Sequence, residues 1–131
     1  MAGITDISEL VKSMTPELNK GAYVFTTVKD SSSIDRNVIL CEFKETEGIT
    51  LILEQSKADE LELKYDYVAS WITLTIHSSL EAIGLTATFS NELAKHNISC
   101  NVVAAYYHDH IFVAKKDAQK AMYVLQKLSS K

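Results

Sequence analysis

Three adjacent polar residues, His108-Asp109-His110, interrupt the apolar run "AAYYHDHIFVA" at 104–114. Two imidazoles and a carboxylate so placed suit several kinds of chemistry. In an extended chain, residues two apart share a face, so the two rings would lie side by side as metal ligands do. Two histidines make only part of a tetrahedral site, however, and His77 or His96 would have to complete it. His108 with Asp109 could act as an acid–base pair, but such a pair needs a nucleophile or a substrate proton within reach. Ser78 follows His77 without the G-x-S-x-G elbow that would expose it. A third use is binding: Asp109 receives the ammonium group of a small ligand and Tyr106 or Tyr107 walls the site. The purely structural reading is a polar hairpin tip, because Asp and His tolerate the left-handed backbone of a tight turn.

A second constellation lies upstream, in "HSSLEAIGL" at 77–85. Ser78 and Glu81 form an S-x-x-E capping box, which predicts a helix from near Ser79. Gly84 then falls inside that helix, where glycine costs roughly 1 kcal/mol relative to alanine. Close packing on a sheet would offset that cost, and so would a ligand or backbone approaching where a Cβ would block it. The unpaired N–H groups at the helix start, near Ser78 and Ser79, suit a carboxylate. The Ser78 hydroxyl is itself the expected cap.

These residues need elements to position them. "TDISELVKSM" is capped at Thr5/Asp6 and carries Ile7, Leu10, Val11 and Met14 on one face, a short helix ended by Pro16 and "NKG". "AYVFTTV" (22–28), "NVILCEF" (37–43) and "ITLILE" (49–54) read as strands, with "KDSSSIDR" a loop or one helical turn. Gly48 offers a positive φ to the turn between the second and third of these. "SKADELEL" is a short helix from Ser56. "YDYVASWITLTIH" (65–77) is β-prone, as one strand or as two meeting near Ser70; Trp71 within it reads as core or interface. A helix to about Asn97 buries Ala82, Leu85, Phe89 and Leu93. Strands at 98–106 and 110–114 follow. Asp117 caps a last helix with Ala118, Ala121, Met122, Leu125 and Leu128 as its stripe. "LILEQSKADEL" and "IFVAKKDAQKA" share one plan, strand then gap then helix, so the order strand–helix–strand–strand–helix runs twice. That predicts an α+β chain of two ferredoxin-like (βαββαβ) units with antiparallel sheets, the first degenerate and preceded by an extra N-terminal helix. The units are expected at 1–69 and 70–131, the second lacking its final strand.

The run "HSSLEAIGLTATFSNELAKHNISCNVVAAYYHDHIFV" resembles an ACT domain, with its glycine near the start of the first helix and a phrase like "HNISCNVV" opening the second strand. The chain as a whole resembles small bacterial proteins built of two tandem ACT-like units. The resemblance implies a regulatory module that binds a small molecule, often an amino acid, at an interface between units. It places that site at His77, Ser78, Ser79 and Gly84 and at the hairpin Tyr106, Tyr107, His108, Asp109 and His110. It also implies pairing of units, and with sheet edges that invite partners the expectation is a homodimer. No catalytic residue, metal or cofactor is expected. The alternative is a structural or protein-interaction unit that kept the fold without a ligand.

Composition bounds the rest. Seventeen acidic and thirteen basic residues leave a net charge of −4 over 131 residues. A phosphate backbone is repelled on average, and no basic run is interleaved with aromatics, so nucleic acid is not an expected partner. No apolar run approaches the roughly 20 residues that span a bilayer. Cys41 and Cys100 fit no C-x-x-C spacing and read as buried thiols of a reducing compartment. With no signal-peptide pattern at the start, the expected location is the cytoplasm.

Overall fold

A computed structural model describes residues 7–75 and 84–130. Its elements in chain order are α1 (Ile7–Ser13), β1 (Thr15–Leu18), β2 (Tyr23–Val28), β3 (Ile39–Lys44), β4 (Ile49–Glu54), α2 (Gln55–Glu60), β5 (Val68–Thr75), α3 (Leu85–Lys95), β6 (Asn101–Ala104), β7 (Asp109–Ala114) and α4 (Ala118–Ser129). Two compact units divide them. The smaller is Lys20–Ala69; the larger holds α1 and β1 together with the described residues from Ser70 onward. By contact, the described residues from Ile7 to Asn19 group with those from Ser70 onward.

In the smaller unit the strand order is β3-β4-β2, continued by the start of β5. Pairing is antiparallel throughout, with Glu42↔Leu51, Val24↔Leu53 and Tyr23↔Ala69 in register. Val24, Leu51 and Leu53 close on Ile34 and on Ala58 of α2. No α-helix forms between β2 and β3. The polar side chains bond locally instead: Asp30 accepts from the Ser32 N–H at 3.0 Å, and Asp35 accepts from the Asn37 N–H at 2.9 Å to cap a single 3-10 turn, Arg36–Val38. That turn delays β3 to Ile39. Gly48 is needed for space rather than for a positive φ: a Cβ there would meet Thr27 Oγ1 at 2.7 Å.

The larger unit runs β5-α3-β6-β7-α4 along the chain, with β5 beside β7 and β7 beside β6 in the sheet. Its outer strand is β1, antiparallel to β5 with Pro16↔Leu74 and Leu18↔Ile72 in register. β5 is thus paired by a strand from the N-terminal part of the chain. "TPEL" carries almost no strand signal, and proline cannot donate to a ladder, so it is tolerated only at such an edge. What holds it is tertiary. Asn19 bonds to β5 through its N–H to Trp71 O (2.9 Å) and through Nδ2 to Trp71 O (3.2 Å) and Thr73 Oγ1 (3.0 Å). β5 itself is one strand across Ser70, not two.

Helices α3 and α4 cover one face of this sheet. Leu85, Phe89 and Leu93 of α3 and Ala121, Val124, Leu125 and Leu128 of α4 pack on Ile72, Leu74, Ile111 and Val113, with Met14 beside them. Val124 is buried on α4, whereas Met122, expected in the stripe, is only partly buried. Asp117 stands at the α4 cap position but makes no capping side-chain bond. The end of α3 is a Schellman motif: Asn97 is left-handed (φ 61°), its N–H reaches Ala94 O, and the Ile98 N–H reaches Leu93 O. Ile98 and Leu93 are both in the core, the apolar contact that accompanies this motif.

Two stability predictions follow from these contacts. Asn19→Ala removes two side-chain hydrogen bonds to β5 and should cost about 1–2 kcal/mol in a urea melt; an unchanged midpoint would mean β1 is held by other means. Asn97→Val places a β-branched residue at a left-handed position and should cost about 1–2 kcal/mol, while Asn97→Gly should be tolerated. Equal melts for these two variants would contradict the motif.

Candidate functional site

The β6–β7 hairpin presents the residues singled out in the sequence. Val102↔Ile111 and Ala104↔Asp109 are in register, and the Ala105 N–H donates to His108 O at 3.1 Å. The turn is thus Ala105 to His108, and Asp109 and His110 already belong to β7. Tyr106 and Tyr107 occupy the tip, 81% and 76% exposed, packed edge to face at 5.0 Å. The tip is aromatic, not the polar triplet.

Strand alternation splits that triplet. Ile111 and Val113 face the helices, so Asp109 lies on the helix side of β7. His110 lies on the opposite face with Phe112. The rings of His108 and His110 lie 6.4 Å apart, nearly perpendicular. Asp109 is separated from them by the sheet plane. Burial pushes its carboxyl pKa upward, partly offset by His110. Among the described residues its carboxylate has no hydrogen-bond or ion-pair partner.

On the other face, β5 meets His110. Ile72 and Leu74 point to the helices, which turns Trp71 and Thr73 to the opposite face of the sheet, where Thr73 is buried. The Trp71 indole N–H donates to His110 Nδ1 at 3.0 Å, and Thr73 Oγ1 lies 3.2 Å from the same nitrogen. The Trp71 ring stacks on Phe112 at 6.4 Å and 19°. Asn19 completes the chain through Thr73 Oγ1. An indole can only donate, so Nδ1 is an acceptor and the neutral ring carries its proton on Nε2. Burial and the nearby His108 hold the His110 pKa below the usual histidine range, with Asp109 opposing them. His108 Nδ1 is buried and, among the described residues, has no hydrogen-bond partner.

The helix-start half of the expected site is described only in part. His77, Ser78 and Ser79 lie outside the described residues, as does the Ser78/Glu81 capping box. Gly84 is not inside a helix: it is the residue before α3, left-handed at φ 90°. That conformation is the reason for glycine there. Among the described residues no side chain caps the first turn of α3, where the leading N–H groups carry a partial positive charge.

Sequence reasoning missed Thr73 and Asn19 and gave Trp71 no partner. A signal was present in "SWITLT", where Trp71 and Thr73 alternate with the apolar Ile72 and Leu74. Among the described residues no three His, Cys, Asp or Glu side chains converge as a metal site would require. Burial pushes the Cys100 thiol up to about 11, which leaves it protonated and unreactive near neutrality. A cleft of about 340 Å³ includes Glu92, His96, Tyr123 and Lys127. Its charges are already engaged, Glu92 by Lys95 at 3.1 Å and Lys127 by the Tyr123 ring at 5.5 Å.

Comparison with known proteins places this geometry. A protein of unknown function from Vibrio cholerae, described as a possible transport protein, is 47% identical over 98% of this chain and 99% of its own, with a TM-score of 0.86. A protein from Agrobacterium tumefaciens has a TM-score of 0.67 at 14% identity, over 88% of this chain and 89% of its own. The ligand-free regulatory subunit of aspartate kinase from Thermus thermophilus has a TM-score of 0.60 at 9% identity, over 88% of this chain and 98% of its own. The last two show a shared fold alone. No curated protein sequence matches the chain. No helix among the described residues is long and apolar enough to cross a membrane. Family profiles described as ACT domains match residues 2–70 and 67–127, so the chain belongs to the ACT-domain family as two tandem domains.

Proposed function

We propose that this protein is a non-catalytic regulatory module whose ligand is an amino acid. The observation that carries the reading is Asp109, a half-buried carboxylate without a partner among the described residues. Leaving such a group unpaired is costly, and an ammonium group would offset that cost. The start of α3 behind Gly84, without a capping side chain among the described residues, is together with Ser78 and Ser79 the proposed seat of the ligand carboxylate. The exposed Tyr106 and Tyr107 are its proposed wall and His77 its proposed rim; His108 and His110, grouped with this site in the sequence, lie across the sheet from Asp109 and are left out of it. A regulatory subunit of aspartate kinase shares the fold, which supports a regulatory role. The proposed setting is the cytoplasm, and the proposed assembly is a homodimer formed through unpaired sheet edges.

Titration calorimetry against the common amino acids tests the binding. At least one should bind, and Asp109→Asn should weaken it by about one to two orders of magnitude, since a charge-assisted hydrogen bond contributes about 1.5–3 kcal/mol. The ligand pairs with the ionised carboxylate, so affinity should fall as pH is lowered through the raised Asp109 pKa, at a higher pH than for an ordinary Asp. Binding unchanged in Asp109→Asn would remove Asp109 from the site. No binding to any amino acid would favour the structural reading of the fold.

Sedimentation at micromolar concentration tests the assembly. A particle near twice 14.6 kDa is expected; a monomer at every concentration would refute the dimer.

A further inference from the structure

We propose that Trp71, His110 and Thr73 form a proton-operated switch: protonation of His110 moves its Nδ1 bond from the Trp71 indole to the Thr73 hydroxyl and releases the indole to repack against Phe112. Two complete bonding patterns are built into the same side chains. In the neutral state Nδ1 accepts from Trp71 Nε1 at 3.0 Å. A proton added at Nδ1 sets two N–H groups against each other across that distance, because indole has no acceptor on its nitrogen. Thr73 Oγ1, 3.2 Å away, is the alternative partner. Its oxygen has two lone pairs: one accepts from Asn19 Nδ2 at 3.0 Å, and the other is open to an Nδ1–H. The exchange needs only a small ring movement and leaves the Asn19 bond to β5 in place.

The surroundings set where the switch trips. On its own strand His110 has Asp109 as neighbour, and the His108 ring lies 6.4 Å away. From β5 it meets the uncharged Trp71 and Thr73, and from β6 the uncharged Val103. The nearest charge on β1 is Glu17, across from Thr73. Asp109 favours the cation, while burial and His108 oppose it more strongly. The proton therefore enters below the ordinary histidine range. The unfolded chain takes up that proton first, so as pH falls from about 6.5 toward the lower folded value the native state loses stability. This behaviour does not depend on a ligand.

Trp71 is the single tryptophan of the chain, so the indole N–H resonance and the intrinsic fluorescence report on it alone. In the full-length protein without ligand, both should follow one titration curve with a midpoint below about 6.5, while the far-ultraviolet circular dichroism stays constant. The His110 Cε1–H resonance should share that midpoint. His110→Gln keeps an acceptor for the indole and cannot titrate, so its Trp71 signals should stay flat. Thr73→Val removes the second partner and should move the midpoint further down. An indole signal in the native chain that does not change with pH would overturn the proposal, as would a midpoint different from that of His110. So would a His110→Gln protein that titrates like the native one. The histidine and indole curves of the unmodified protein decide the question even if a variant fails to fold.

Discussion

The antiparallel pairing of β1 with β5 is the constraint on which the larger unit depends. Without it β5 would be an edge, with a row of open N–H and C=O groups on its outer side. With it, β5 is flanked on both sides and its alternation becomes fixed. A one-residue slip would turn Ile72 and Leu74 out of the core and bring Trp71 and Thr73 in. The bonds from Asn19 to Trp71 O and Thr73 Oγ1 resist such a slip at the end of the pair.

That alternation sorts the chemistry as well as the packing. On the helix side, β7 contributes Ile111 and Val113 to the core and leaves Asp109 at its first position, half-buried. On the far side, His110 and Phe112 meet Trp71 and Thr73. One hairpin thus carries two distinct polar environments separated by the thickness of a sheet. His110 is satisfied by neighbours within its own unit, whereas Asp109 has no partner among the described residues, and the difference decides which of them is read as addressing a ligand. The aromatic tip adds exposed surface beside both.

Membership of the ACT-domain family gives this layout a context without supplying a ligand. The relative at 47% identity is itself of unknown function, and the more distant structures share only the fold. In the smaller unit no α-helix lies between β2 and β3. One 3-10 turn stands there, with Asp30 and Asp35 bonding nearby backbone N–H groups, a local pattern that competes with helix formation.

Local signals in the sequence determined much of this protein. The apolar stripe Leu85, Phe89, Leu93, the strand runs "YVFTTV" and "ITLIL", and the stripe of α4 were all legible, because burial imposes a period on the residues that face a core. The family resemblance rested on such a stretch. Other features were decided only by the tertiary structure. "TPEL" became a strand because β5 offered it an edge and Asn19 a clamp, contacts more than fifty residues away in the chain. Gly84 ended up before a helix rather than within it, because its left-handed backbone sets where α3 begins. Asp109 parted from its histidine neighbours because the hairpin turned two residues earlier than the polar triplet suggested. Each of these depends on register, and register is a property of paired strands that neither strand carries by itself.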